Sequence, residues 1–168
     1  GDEPIVAFAK FLIRNTTEEK RCVRLWCVIG GKPEALAYED GFIYAIGRIV
    51  DDSVPNSVES MERRWIRQDY EEKRLRAQLQ TFGKGEVRPV PCSFAPHFIN
   101  SHPNAIAYDL ELEPRESHTV IFKLPFVTFT GDSGKNILDA LDFEQKFEEM
   151  RAYWHSRINE GSKIKLPD

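Results

Sequence analysis

The sequence predicts a mainly β fold: an antiparallel β-sandwich with a C-terminal linker α-helix and one additional surface helix. Three observations predict it. About six apolar, β-prone runs are joined mainly by short polar turns. Two of these runs alternate in and out with a period of two. Near the C-terminus an apolar repeat steps by three or four residues, as one face of a helix does. At 168 residues the chain fits a single domain, and folding at that size buries roughly 70% of the unfolded surface.

Residues 4 to 13 form the first expected strand. The polar run Asn15-Thr16-Thr17-Glu18-Glu19-Lys20 leads to a second at 22 to 29, and the pair reads as an antiparallel hairpin. In the second strand Val23, Leu25, Cys27 and Ile29 share the core face, while Cys22, Arg24, Trp26 and Val28 share the other. Gly30-Gly31-Lys32-Pro33 breaks this strand, and Asp40-Gly41 is a tight-turn signal that opens a third strand over 42 to 50. Residues 57 to 80 are dense in charge of both signs. Ile66 with Tyr70 and Glu72 with Arg76 lie at helical spacing, which predicts the surface helix.

Further strands are expected at 86 to 94, 105 to 112 and 118 to 127. Glu113-Pro114-Arg115-Glu116-Ser117 turns the last two into a second hairpin. Val120, Phe122, Leu124 and Phe126 alternate there with Thr119, Ile121, Lys123 and Pro125. Pro125 has no N–H to donate, so this strand lies on an edge or stops pairing at that point. From Asp142 the positions Phe143, Phe147, Met150, Trp154 and Ile158 make the apolar helix stripe, Asp142 with Gln145 caps it, and Gly161 ends it. Trp154, on that stripe, is expected to be packed.

Composition excludes several functions. The net charge of -4 comes from 23 basic and 27 acidic residues that are intermixed, so nothing attracts a phosphate backbone and nucleic acid is excluded as a partner. No apolar run approaches the ~20 residues of a membrane span, and the N-terminus has no signal-peptide pattern. A soluble chain with no membrane partner is expected, compatible with a periplasmic or secreted parent. Gly1-Asp2-Glu3 at one end and Ile164-Lys165-Leu166-Pro167-Asp168 at the other read as the borders of a domain excised from a longer protein. The expected division is a sandwich over 1–136 with the charged helical insertion near 57–80, then a linker helix and junction to a downstream domain over 137–168.

Chemistry-bearing motifs are scarce. Cys22, Cys27 and Cys92 form no Cys-x-x-Cys pair; a disulfide from Cys92 to one of the others is one option, and buried apolar thiols are the preferred one. His97, His102, His118 and His155 show no metal-ligand spacing, and the loop between His97 and His102 reads as a structural turn. Gly131-Asp132-Ser133-Gly134-Lys135 imitates a phosphate loop without its spacing and reads as a turn. Glu39, Asp40, Asp51 and Asp52 are assigned to turns. No catalytic residue, metal or cofactor is therefore expected. Trp26, Trp65 and Tyr70 are claimed by no core face, and exposed indole and phenol rings are the surfaces on which sugars stack. They are the candidate ligand-binding residues, with a covering layer over Trp26 as the alternative.

The turn at Glu113 to Ser117, the apolar strand ending Lys123-Leu124-Pro125-Phe126, Leu141-Asp142-Phe143, Tyr153-Trp154-His155-Ser156-Arg157-Ile158 and the run from Gly161 to Asp168 together resemble a region of certain bacterial glycoside hydrolases. The resemblance covers about the last 55 residues, with weaker support from the Asn15 turn and the Asp40-Gly41 strand. It implies a supersandwich-like N-terminal β-sandwich and linker helix leading to an (α/α)6 toroid that holds the catalytic carboxylates. It implies, too, that this chain is the non-catalytic domain, with the downstream catalytic domain as its partner. The charged stretch at 57–80 has no counterpart in that pattern. An independent carbohydrate-binding module, with carbohydrate as partner, and a protein-interaction module using the mixed-charge helix are the alternatives.

Overall fold

In the computed structural model the described residues are 5–28, 34–48, 73–94, 102–127 and 129–161. Among these residues nine strands and two helices follow in order: β1 (Val6–Arg14), β2 (Arg21–Cys27), β3 (Glu34–Glu39), β4 (Phe42–Arg48), β5 (Arg74–Gln80), β6 (Glu86–Val90), β7 (Ala105–Leu112), β8 (Ser117–Pro125), β9 (Phe129–Thr130), α1 (Gly131–Ala140) and α2 (Phe143–Glu160). The larger sheet runs β1-β8-β5-β4-β3, with β9 pairing β5, and the smaller runs β2-β7-β6. Every pairing is antiparallel. The expected break at Gly30 to Pro33, the carboxylates Asp51 and Asp52, His97, and the charged segment through residue 72 lie outside the described residues.

The two sheets face each other across one apolar core. Leu36, Ile43, Ala77, Leu79 and Val120 come from the larger sheet; Ile106, Tyr108, Leu110 and Leu112 come from β7. Val23, Leu25 and Cys27 of β2 pack against them, on the face that alternation assigns. Asp40 and Gly41 both take positive φ, 50° and 88°, as a two-residue hairpin turn between β3 and β4 requires.

Both other expected hairpins are corrected. β1 pairs β8, and β2 pairs β7, so the polar turns at 15–20 and 113–116 each carry the chain from one sheet to the other. Neither loop supplies the two-residue primed turn that folds consecutive strands together. The loops bind each other instead. Asn15 is buried, and its Nδ2 donates to the carbonyls of Glu19 (2.7 Å), Leu112 (3.1 Å) and Glu113 (2.9 Å). Its Oδ1 accepts from the Thr17 N–H and hydroxyl, and its backbone N–H donates to Glu116 at 2.8 Å. Arg115, at φ 62°, adds a bond to the Thr17 carbonyl and an ion pair with Glu18.

Three more expectations need correction. Residues 74–80, placed in the surface helix, are strand β5, because Leu75, Ala77 and Leu79 alternate into buried positions. Strand β3 is a further element, hidden in the sequence by its two alanines among Glu34, Leu36 and Tyr38. The strand expected to reach residue 94 ends at Val90; Pro91 has no N–H, and the buried Asn104 side chain takes over, accepting from the Cys92 N–H at 2.7 Å. At Pro125 neither foreseen outcome holds as stated: β8 is internal and still pairs β1 there, opposite Val6, and Pro125 is tolerated because the β5 ladder, on the other side, has already ended at Lys123.

Gly131 to Lys135, read as a turn, opens α1. This helix covers the outer face of the larger sheet, with Leu138 buried against Phe42, Tyr44 and Leu75. Gly134 permits the approach, since a Cβ there would meet Phe129 Cβ at 2.3 Å. Lys123, fully buried on this face, donates to the Leu138 carbonyl at 2.6 Å and caps the last turn of α1. Burial pushes its pKa down, while Asp139 and Asp142 pull it back upward.

Asn15→Ala leaves the buried Leu112 carbonyl without its donor and should destabilise the fold by about 2–3 kcal/mol in urea unfolding. Lys123 has the opposite sign of effect. The folded chain binds its proton less tightly than the unfolded chain, so the destabilisation is full below the folded-state pKa and fades as pH rises toward 10.5. The stability of the wild type relative to Lys123→Met should therefore improve from neutral to strongly alkaline pH; a flat difference would show that the ammonium is not desolvated.

Candidate functional site

Helix α2 is built to fold, and among the described residues it finds little to fold against. Asp142 accepts from the Gln145 N–H at 2.7 Å, Gly161 donates back to Arg157 at 3.1 Å, and Lys146 with Glu149 and Arg157 with Glu160 pair along the surface. Its first turn docks on β1. Phe143 lies edge-on to Phe8 at 5.8 Å, and Lys10 pairs with Glu144 while its ammonium sits 5.1 Å from the Phe143 ring. Beyond that turn the apolar stripe meets solvent: Phe147 is 43% exposed, Met150 49%, Trp154 57% and Ile158 69%.

No residue of α2 is buried, which corrects the expected packing of Trp154. The periodicity marks a face that needs cover without saying which molecule supplies it.

Trp26 stands on the outer face of the smaller sheet, 41% exposed. The contacts described for the first turn of α2 go to β1, in the other sheet, so this helix end is not the layer foreseen as its cover. Arg24 lies 5.5 Å from the indole and grips Asp109 with two nitrogens, Nη2 to Oδ2 at 2.8 Å; Arg88 reaches the same carboxylate at 3.4 Å. Beside them is an open cleft of about 740 Å³ lined by Cys22, Arg24, Lys84, Glu86, Asp109 and Glu111. The Arg24 bond holds the Asp109 pKa below its usual range, and Lys20, 2.6 Å from Glu111, does the same there. Carboxylates held ionised by cations make poor proton donors at neutral pH. Trp65 and Tyr70, the other two candidates, lie outside the described residues.

A smaller cleft of about 520 Å³ at the root of α2 is lined by Lys10, Gln80, Phe82, Thr119, Ile121 and Phe143. Phe82, 64% exposed and at φ 52°, was missed by sequence reasoning. Gly83 and Gly85 beside it were the signal of a turn with left-handed backbone.

The three cysteines are free thiols. Cys92 is buried, and burial pushes Cys27 up to about 11, which leaves the exposed Cys22 as the accessible one. Among the described residues no group of three or more His, Cys, Asp or Glu could hold a metal ion, and no helix is long and apolar enough to cross a membrane. No protein family, curated protein or solved structure matches this chain.

With the Trp154 indole in solvent, Trp154→Ala in the isolated chain should change stability by less than about 1 kcal/mol in urea unfolding. A loss of about 3–5 kcal/mol, the cost of truncating a buried indole, would mean that the stripe is covered.

Proposed function

We propose that this chain is a non-catalytic β-sandwich domain that supports a neighbouring catalytic domain through α2. One observation carries the reading: an 18-residue helix, capped at its start by Asp142, keeps Phe147, Met150, Trp154 and Ile158 on one stripe and buries none of them. A stripe of that kind left in water costs solubility and gains nothing unless a second surface covers it. The resemblance of the last third of the chain supports the finer reading, in which the neighbour is the (α/α)6 toroid of a glycoside hydrolase and α2 is the linker helix between them. The ion-paired carboxylates around Arg24 support a passive chemical role.

A second reading has its own observation. The exposed Trp26 beside a polar cleft suits a sugar ring, stacked on the indole and hydrogen-bonded by Arg24 and Asp109. It makes carbohydrate a partner of the smaller sheet, independent of α2.

Co-expression with a candidate (α/α)6 domain tests the first reading. The two should co-purify, and Trp154→Asp should weaken the complex by at least about 2 kcal/mol, as a central aromatic anchor does, while leaving the sandwich folded. Separate elution of the wild-type pair would remove the support for a scaffold. Hydrolysis of aryl glycosides by the isolated chain, abolished by Asp109→Asn or Glu111→Gln, would reverse its non-catalytic character.

A further inference from the structure

Asn15-Thr16-Thr17 is the one Asn-x-Ser/Thr triplet in the sequence, the acceptor pattern for N-linked glycans. Acceptor asparagines of that kind sit on surface loops, because the attached sugar is bulky and solvated. This one is 4% exposed. Its Nδ2, the atom to which a glycan is joined, lies 2.7 Å from the carbonyl oxygen of Glu19, 2.9 Å from that of Glu113 and 3.1 Å from that of Leu112. Thr17, whose hydroxyl the pattern requires, is engaged as well. Its N–H and its hydroxyl both donate to the Asn15 Oδ1, at 3.0 and 2.8 Å.

We infer that Asn15 is a modification site open only in the unfolded chain, so that N-glycosylation and folding exclude each other here. The reaction transfers an oligosaccharide from a polyisoprenyl pyrophosphate carrier. The bond from sugar C1 to the phosphate oxygen breaks, C1 joins Nδ2, and one amide proton is lost to a base. In the fold both amide hydrogens are spent on the three carbonyls, so the transfer removes half of the donors. A sugar ring on Nδ2 also needs the space that those carbonyls hold. The buried Leu112 carbonyl then has no donor, and the loops at 15–20 and 113–116 cannot close on each other.

The reverse holds too: the closed fold offers the transferase no substrate. Leu112 and Glu113 lie 97 and 98 residues further along the chain. A chain delivered N-terminus first to a glycosylating compartment therefore presents the triplet well before the groups that enclose it. The glycan marks molecules reached before the two loops met, and the fold matures only where this class of transferase does not act. Neither α2 nor the Trp26 face takes part, so the inference stands apart from the scaffold and carbohydrate readings.

The full chain, an oligosaccharyltransferase and its lipid-linked oligosaccharide test it. The native chain should stay unmodified. Leu110→Asp, which buries a carboxylate in the core and unfolds the chain as circular dichroism checks, should gain one glycan, seen as a gel shift that a glycosidase reverses. Translated into microsomes, the wild type should be glycosylated, and the modified molecules should lack the protease-resistant core that unmodified molecules keep. Thr17→Ala removes the acceptor pattern while keeping the Asn15 amide and the backbone N–H that binds it. Once circular dichroism shows that it folds without the transferase, it should escape modification in microsomes and regain the resistant core. A native chain glycosylated with its circular dichroism unchanged, an unfolded Leu110→Asp or a microsomal wild type left unmodified, glycosylated molecules as resistant as unmodified ones, or a folded Thr17→Ala that gains no resistance in microsomes would each overturn the inference.

Discussion

Two sheets can enclose a core only if something fixes how far apart and how far over they lie, and in this chain the buried amide of Asn15 is central to that task. The loop after β1 and the loop before β8 run side by side, and one side chain reaches across to three carbonyls of both while its oxygen organises its own turn. An amide suits this position because it offers two donors and an acceptor without a charge to desolvate. Alignment of the loops sets the register of β1 on β8 and of β2 on β7 together, and those two ladders bring the apolar faces of both sheets into opposition.

Much of the β content was legible because burial enforces alternation. The core face of β2, the Asp40-Gly41 turn and the capped start of α2 could all be read from residue type and spacing. Which strand pairs with which could not. A short polar run between two apolar ones fits a hairpin and an arch equally well, and the choice is made by partners about a hundred residues away, as the bond from Asn15 to Leu112 illustrates. Residues 74–80 misled for another reason. Arg74, Arg76, Gln78 and Gln80 look like a solvated helix, yet Arg76 pairs with Glu34 and the Gln78 Nε2 donates to Asp139, so polar side chains find partners in a central strand, with the buried Gln78 Oε1 left over. Lys123 is similar: it stands on the outer face of the strand, as the alternation has it, and is buried there because α1 covers that face.

The candidate site was half legible. Helical periodicity announced the stripe from Phe147 to Ile158, but amphipathicity is a property of one surface and burial of two, so sequence placed Trp154 in a contact that the sandwich does not provide. Trp26 was assigned to an outer face by strand parity alone and lies there. Its setting, with Arg24 fixed by Asp109 and the alanines of β7 behind it, comes from cross-strand neighbours that no local pattern reveals.

The pairing of β1 with β8 also bears on how the chain comes into being on a ribosome. The first strand emerges long before its ladder partner, and the same holds for β2 and β7, so both sheets must wait for the distal part of the chain. Closing loops of that length before any contact repays the lost entropy makes for slow, late assembly. During that interval the run from Val6 to Ile13 travels as an unpaired apolar ribbon, the stage at which the chain is most open to aggregation.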